Sequence, residues 1–133
     1  MATAASYAVV NKIINQNMVY CCNRLGEILS DALHDSFGQH TYIGDIRGRG
    51  LFLGLAIVSD RATKKPFDPE LQVARKLKMA ALEAGLICYS MAGTRGGLLG
   101  DHILLAPPFI MQDRQLPAIT YKLEKALKLV LPA

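Results

Sequence analysis

Tryptophan is absent from this 133-residue chain, and aromatic residues altogether make up 7% of it. Surfaces that read single-stranded nucleic acid stack bases on aromatic side chains, so this scarcity argues against such a surface. No apolar run approaches the roughly 20 residues of a bilayer span. The opening stretch, Met1-Ala2-Thr3-Ala4-Ala5-Ser6, has neither the basic nor the apolar segment of a secretory signal, and it lacks the arginines of a transit peptide. Cysteine is sparse: Cys21, Cys22 and Cys88 are an odd number without metal-ligand spacing. Vicinal cysteines inside a helical pattern do not bridge each other easily, so reduced thiols and a cytoplasmic location are expected. His34, His40 and His102 share no metal-ligand spacing with one another or with the cysteines, so no metal site is expected. A net charge of +4, with Lys and Arg scattered along the chain, reads as a solvated surface.

What is present is a globular composition, 51% apolar and 20% charged, in one domain's length. Val9, Ile13, Ile14, Met18, Cys21, Leu25, Ile28, Leu29 and Leu33 recur mostly at steps of three or four, the stripe of an amphipathic helix. Asn15-Gln16-Asn17 interrupts it with poor helix formers, which predicts a kink or a break into two helices, and Gly38 ends the run. Residues 44–50 read as a glycine-rich turn feeding a nearly unbroken apolar strand over 51–58, a pattern that suits burial on both faces. Gly54 inside that strand suggests a bulge or a close backbone approach. A polar loop over 59–69 leads to a helix over 69–84, with Asp68 as N-cap, Pro69 at the first helical position and Gly85 at the end. Residues 86–89 and 103–106 read as short strands flanking a glycine-rich loop over 93–100, and 113–131 as a final amphipathic helix. The expected fold is therefore α+β: a short three-stranded sheet covered by helices, with a long N-terminal helix whose apolar flank is free to dock elsewhere.

Few residues invite a chemical role. Gly48, Gly50 and Gly54 have the density of a nucleotide loop, but a phosphate loop leaves a strand and enters a helix N-terminus, whereas these glycines enter a strand. Gly96, Gly97 and Gly100 fail the same test. His102 beside Asp101 reads as a hydrogen-bonded pair that orients a turn. No Ser, His and acid grouping is recognisable. Arg95 stands out, because a guanidinium in a glycine-rich stretch between strands is placed to fork onto a carboxylate.

Three segments, in order, carry a resemblance: Ile43-Gly44-Asp45-Ile46-Arg47-Gly48-Arg49-Gly50-Leu51-Phe52-Leu53-Gly54; then Asp60-Arg61-Ala62-Thr63-Lys64-Lys65-Pro66-Phe67-Asp68-Pro69; then Gly100-Asp101-His102-Ile103-Leu104-Leu105-Ala106-Pro107-Pro108-Phe109-Ile110. Together they resemble the C-terminal small domain of class III pyridoxal-phosphate-dependent aminotransferases, above all the ω-amino-acid:pyruvate branch. The likeness covers essentially all of residues 1–133, with the first helix matching least specifically.

The resemblance implies a fold type I enzyme whose small domain closes over a pyridoxal 5'-phosphate site built mainly by a large domain. Such enzymes move an amino group between an amino acid or amine and a keto acid through a lysine Schiff base, and they are dimers. The lysine segment precedes the region matched, so no catalytic or cofactor-binding residue is nominated here, and the chain is expected to be inactive alone. Where the branch often places a substrate arginine before Gly-Asp-His, this chain has Leu99. Where relatives acting on ornithine or γ-aminobutyrate use a strand arginine, it has Leu104; where an acidic residue is common, it has Ala56. Arg95 is then the candidate substrate-binding residue. The alternatives are a non-catalytic module that pairs with a full-length aminotransferase, or a gene fragment without function.

Overall fold

In a computed structural model that describes residues 2–131, a helix α1 (Ala2–Asn15) is followed after one break by α2 (Met18–Phe37). Asn17 sits in the left-handed region at φ 49°, which ends one helix and starts the next. Asparagine enters that region more readily than most non-glycine residues, so the predicted break falls where the sequence places it. Met1 and residues 132–133, the two ends of the expected 1–133 domain, lie outside the described residues.

The remaining elements are β1 (Ile43–Arg49), β2 (Phe52–Ile57), α3 (Val73–Glu83), β3 (Tyr89–Arg95), β4 (Leu99–Leu105) and α4 (Leu116–Val130). The strands form one antiparallel sheet in the order β1-β2-β4-β3. The architecture is α+β, as expected, but the sheet has four strands where three are predicted. The extra strand is β1, in the segment read as a turn. Its glycines hid a period-two strand: Asp45, Arg47 and Arg49 alternate with Ile46 and Gly48. The turn itself is only Gly50-Leu51, with Gly50 at φ 55°, the positive φ that a two-residue hairpin connection requires.

The second hairpin corrects two further boundaries. β3 begins at Tyr89 rather than at residue 86, and it runs on to Arg95 through the stretch read as loop. Only Gly96, Gly97 and Leu98 separate it from β4, and both glycines have positive φ. Ile87, expected inside a strand, is 89% exposed. The register slips between Ala92 and Arg95, so the irregularity anticipated at Gly54 lies in β3, with another between Ile43 and Asp45 in β1.

All the helical packing falls on one face of the sheet. Leu53, Leu55, Ile57, Ile103 and Leu105 point from β2 and β4 into a core shared with Leu25, Leu29, Leu33 and Phe37 of α2, Leu77 of α3, and Leu123 and Leu127 of α4. Each fully buried aliphatic side chain of this kind contributes about 1.5–3 kcal/mol. Gly26 lets α2 approach the β1–β2 hairpin closely: a Cβ there would lie 2.3 Å from the Gly50 carbonyl. Asp68 caps the one-turn 3₁₀ segment Pro69–Leu71, its carboxylate accepting the Glu70 N–H at 3.0 Å, and Gly85 ends the α3 region at φ 78°. α1 is different in kind, because none of its residues is buried.

Candidate functional site

Alternation along the strands builds the opposite face. On β2 the residues between Leu53, Leu55 and Ile57 are Gly54 and Ala56, and on β4 those between Asp101, Ile103 and Leu105 are His102 and Leu104. The apolar run over β2 is thus buried on one face only. Its other face is short of side-chain volume, and no helix covers it. A cavity of about 670 Å³ opens there, and no helical residue lines it. Gly54, Ala56 and Leu104 make its floor, and Phe52 stands at one end.

Register orders the polar groups around this floor. Arg47, Gly54, Leu104 and Tyr89 lie on one rung across the four strands, and Asp45, Ala56, His102 and Met91 on the next pair. Arg47 and Asp45 are therefore neighbours on the same face of β1, where Arg47 Nε lies 3.0 Å from Asp45 Oδ2. Lys64 and Arg95 line the cavity at its other end, near Val58 and Gly100. Strands rise about 3.3 Å per residue, so the level of Gly54 and that of Val58 are separated by roughly 13 Å. The cavity is a trough with cations at both ends.

His102 projects into the trough, with its Nδ1 2.6 Å from the Thr94 hydroxyl. Asp101, one residue earlier, faces the other way and accepts the Ala74 N–H at 3.3 Å at the start of α3. Burial pushes the Asp101 carboxyl above the usual carboxylate range, against the Ala74 N–H and His102, which favour the charged form. The expected Asp101–His102 pair is thus divided between the two faces: adjacent strand residues point apart, and the hydrogen-bond partner of His102 is Thr94 from the neighbouring strand.

The other histidines and the cysteines singled out in the sequence lie away from the trough. His34 Nδ1 is 2.8 Å from the Ser30 carbonyl within α2, and His40 Nδ1 accepts the Tyr42 N–H at 3.1 Å. Burial lowers the His40 pKa, in keeping with a ring that must be neutral to accept that bond. Cys21, Cys22 and Cys88 are free thiols, and burial pushes Cys88 up. Among the described residues no helix is long and apolar enough to cross a membrane.

Arg95 is the only residue nominated from the sequence for substrate binding, and it does line the trough, though at the last position of β3 rather than in a loop. Arg47, Lys64 and Thr94 were not singled out. The signal for Arg47 was available: once residues 43–49 are read as a strand, period two puts Asp45 and Arg47 on one face. Lys64 and Thr94 reach the trough only through tertiary packing, Lys64 from the turn closed by Asp60 and Lys65.

The chain is similar to known proteins over nearly all of its length. A family model described as aminotransferase class-III matches residues 1–127. An uncharacterised aminotransferase of Schizosaccharomyces pombe is 39% identical over 127 residues, which are 96% of this chain and 28% of that protein. A taurine–pyruvate aminotransferase of Bilophila wadsworthia is 32% identical over 96% of this chain and 27% of its own length. Among solved structures, a transaminase from the marine bacterium Virgibacillus superposes with a TM-score of 0.88 at 29% identity, covering 97% of this chain and 28% of its own. The chain spans about a quarter of the length of the relatives it matches.

Proposed function

We propose, from the premise that this chain belongs to the class-III aminotransferase family, that its open sheet face is the substrate-facing wall of an aminotransferase active site. The reaction is amino-group transfer between an amino acid or amine and a keto acid. The observation that carries this reading is the uncovered trough itself, an apolar floor with cationic ends on a family member's sheet. The family's cofactor, pyridoxal 5'-phosphate, supplies the electron sink for such chemistry when bound.

The donor set of the trough does not fit that cofactor as a whole. A phosphate needs converging N–H donors, typically at a helix N-terminus, and no helix residue lines the trough. The main chain along its floor is engaged in sheet pairing. The one lining lysine, Lys64, is exposed at the end of the trough. On this reading the cofactor is held outside the trough, and residues 1–133 act as a C-terminal domain that shapes the substrate side. Arg95 serves one end of the trough as a substrate contact.

On this reading the chain alone, mixed with pyridoxal 5'-phosphate, an amine donor and pyruvate, forms no alanine. Alanine formation by the purified chain at a rate above the free cofactor refutes it. A second role is favoured by α1, which exposes Tyr7, Val9, Val10 and Ile14 and buries nothing. A helix apolar on most sides is stable only when something covers it, and a full-length aminotransferase of the same family supplies such a surface. Co-elution with a full-length relative in size-exclusion chromatography is the expected result; a clean monomer beside an unshifted relative counts against pairing.

A further inference from the structure

We infer that Arg47, oriented by Asp45, is the residue that grips the anionic end of a ligand in the trough, with Gly54 and Leu104 taking the apolar body. The inference rests on the proposal that this face is the substrate wall, and it assigns the charge contact within that wall.

Two arginines line the trough, and they are too far apart to share one carboxylate. Arg47 lies level with Gly54, whereas Arg95 pairs with Leu99, beyond the level of Ile57 and Asp101. Their surroundings differ. Arg47 is in a strand paired along its length with β2, and Asp45 Oδ2 engages its Nε at 3.0 Å. An arginine held at Nε keeps its two terminal nitrogens for a second partner, and that pair matches the spacing of carboxylate oxygens. No other bond to the Arg47 side chain is seen among the described residues, and the side chain is 77% exposed. Arg95 has no side-chain bond among the described residues and adjoins Gly96 and Gly97, both at positive φ in the hairpin turn. A group fixed on a strand binds with better-defined geometry than one at a hairpin tip.

The floor beside Arg47 supports the same assignment. Gly54, next to it on the rung, carries no side chain, so a ligand chain passes over the sheet there. Leu104 follows on the same rung, and its Cδ2 would lie 3.2 Å from a Cβ at Gly54, so it borders that lane closely. The site is thus a forked cation followed by an apolar lane, which takes a monocarboxylate with an aliphatic tail. A longer ligand carries its second polar group toward Arg95 and Lys64.

Hexanoate titrated into the isotope-labelled full chain tests this, followed by methyl shifts of Leu104 and Ala56. Wild type is expected to saturate. Arg47→Gln weakens binding about tenfold, as loss of a charge-assisted pair requires. Arg47→Lys keeps the charge without the fork and weakens it by about fivefold, while Arg95→Gln changes it by less than about twofold. Asp45→Asn removes a negative charge, so charge alone predicts tighter binding. Orientation by Asp45 predicts binding about threefold weaker instead. The assignment is overturned if hexanoate moves no trough resonance, or if Arg95→Gln has the larger effect; tighter binding by Asp45→Asn overturns the positioning role. These shifts do not depend on turnover or on pairing with an aminotransferase. Failure here with pairing intact removes Arg47 alone, and alanine formation by the chain alone removes the broader reading alone.

Discussion

On β2, Leu53, Leu55 and Ile57 point into the core, while the alternate residues Gly54 and Ala56 lie over the trough. The inner face is filled with branched aliphatic side chains against α2, α3 and α4; beyond Phe52 at its start, the outer face of the same strand carries only Gly54 and the methyl group of Ala56. Stability and ligand binding are thereby assigned to alternate residues of one strand. Substitutions on the inner face should act on folding, and those on the outer face on what the trough admits.

The largest effect is expected from the inner face. Leu55 is fully buried, so Leu55→Ala should lower unfolding free energy by about 3 kcal/mol in a denaturant titration. Gly26→Ala comes next, because the new Cβ meets the backbone of Gly50 at 2.3 Å and backbone cannot swing aside. A loss of about 1–3 kcal/mol is expected, read as a lowered denaturation midpoint. A loss as small as that of an exposed-helix substitution would show that α2 does not press on the hairpin.

Titration contributes less. Burial lowers the His40 pKa, so the neutral ring is the form the fold prefers, and stability should fall as pH drops through the ordinary histidine value of 6.5. Asp101 has the opposite sign for an acid: its raised pKa means that its contribution is present below the ordinary carboxylate value and is lost as pH rises through the folded one. Asp101→Asn keeps an acceptor for the Ala74 N–H without a buried charge. Melting curves across pH should show it slightly stabilised at neutral pH, with the gain vanishing in acid. The smallest stability effect is expected from the outer face, where Ala56→Leu should stay within about 0.5 kcal/mol of wild type. Its side chain fills the trough, so the same variant should lose hexanoate binding. A large stability loss there would break the division between the faces.

Much of the fold was legible because periodicity reports burial directly. The apolar stripe of α2 and the break at Asn15-Gln16-Asn17 rest on local chemistry that tertiary contacts did not override. The helix expected over 69–84 is split instead: Asp68 caps only the turn Pro69–Leu71, and α3 starts at Val73 after Gln72 at φ 50°. β1 and the far half of β3 were not legible. Their glycines and charges mark an uncovered sheet face and an edge, where little apolar side chain is needed, and such strands look like loops in sequence. The unbroken apolar run of β2 misled for a related reason. Ala56 counts as apolar and Gly54 does not interrupt the run, yet both face a cavity.

The candidate site divides in the same way. Three ordered segments carried the likeness to class III aminotransferases, and residues 43–54 and 100–110 became the strands that line the trough. Arg95 was recognisable because its glycine neighbours drew notice. Arg47 was not, since its partner Asp45 is two residues away, a spacing that matters only in a strand.

By itself the sequence determined the α+β class, the helical stripes and the family, each of which depends on residue type and local spacing. Only the tertiary structure decided which side of the sheet is covered and which cations reach the open side. Whether a strand residue faces core or cavity depends on the register of β1-β2-β4-β3, and strand order and register are set by contacts between distant segments.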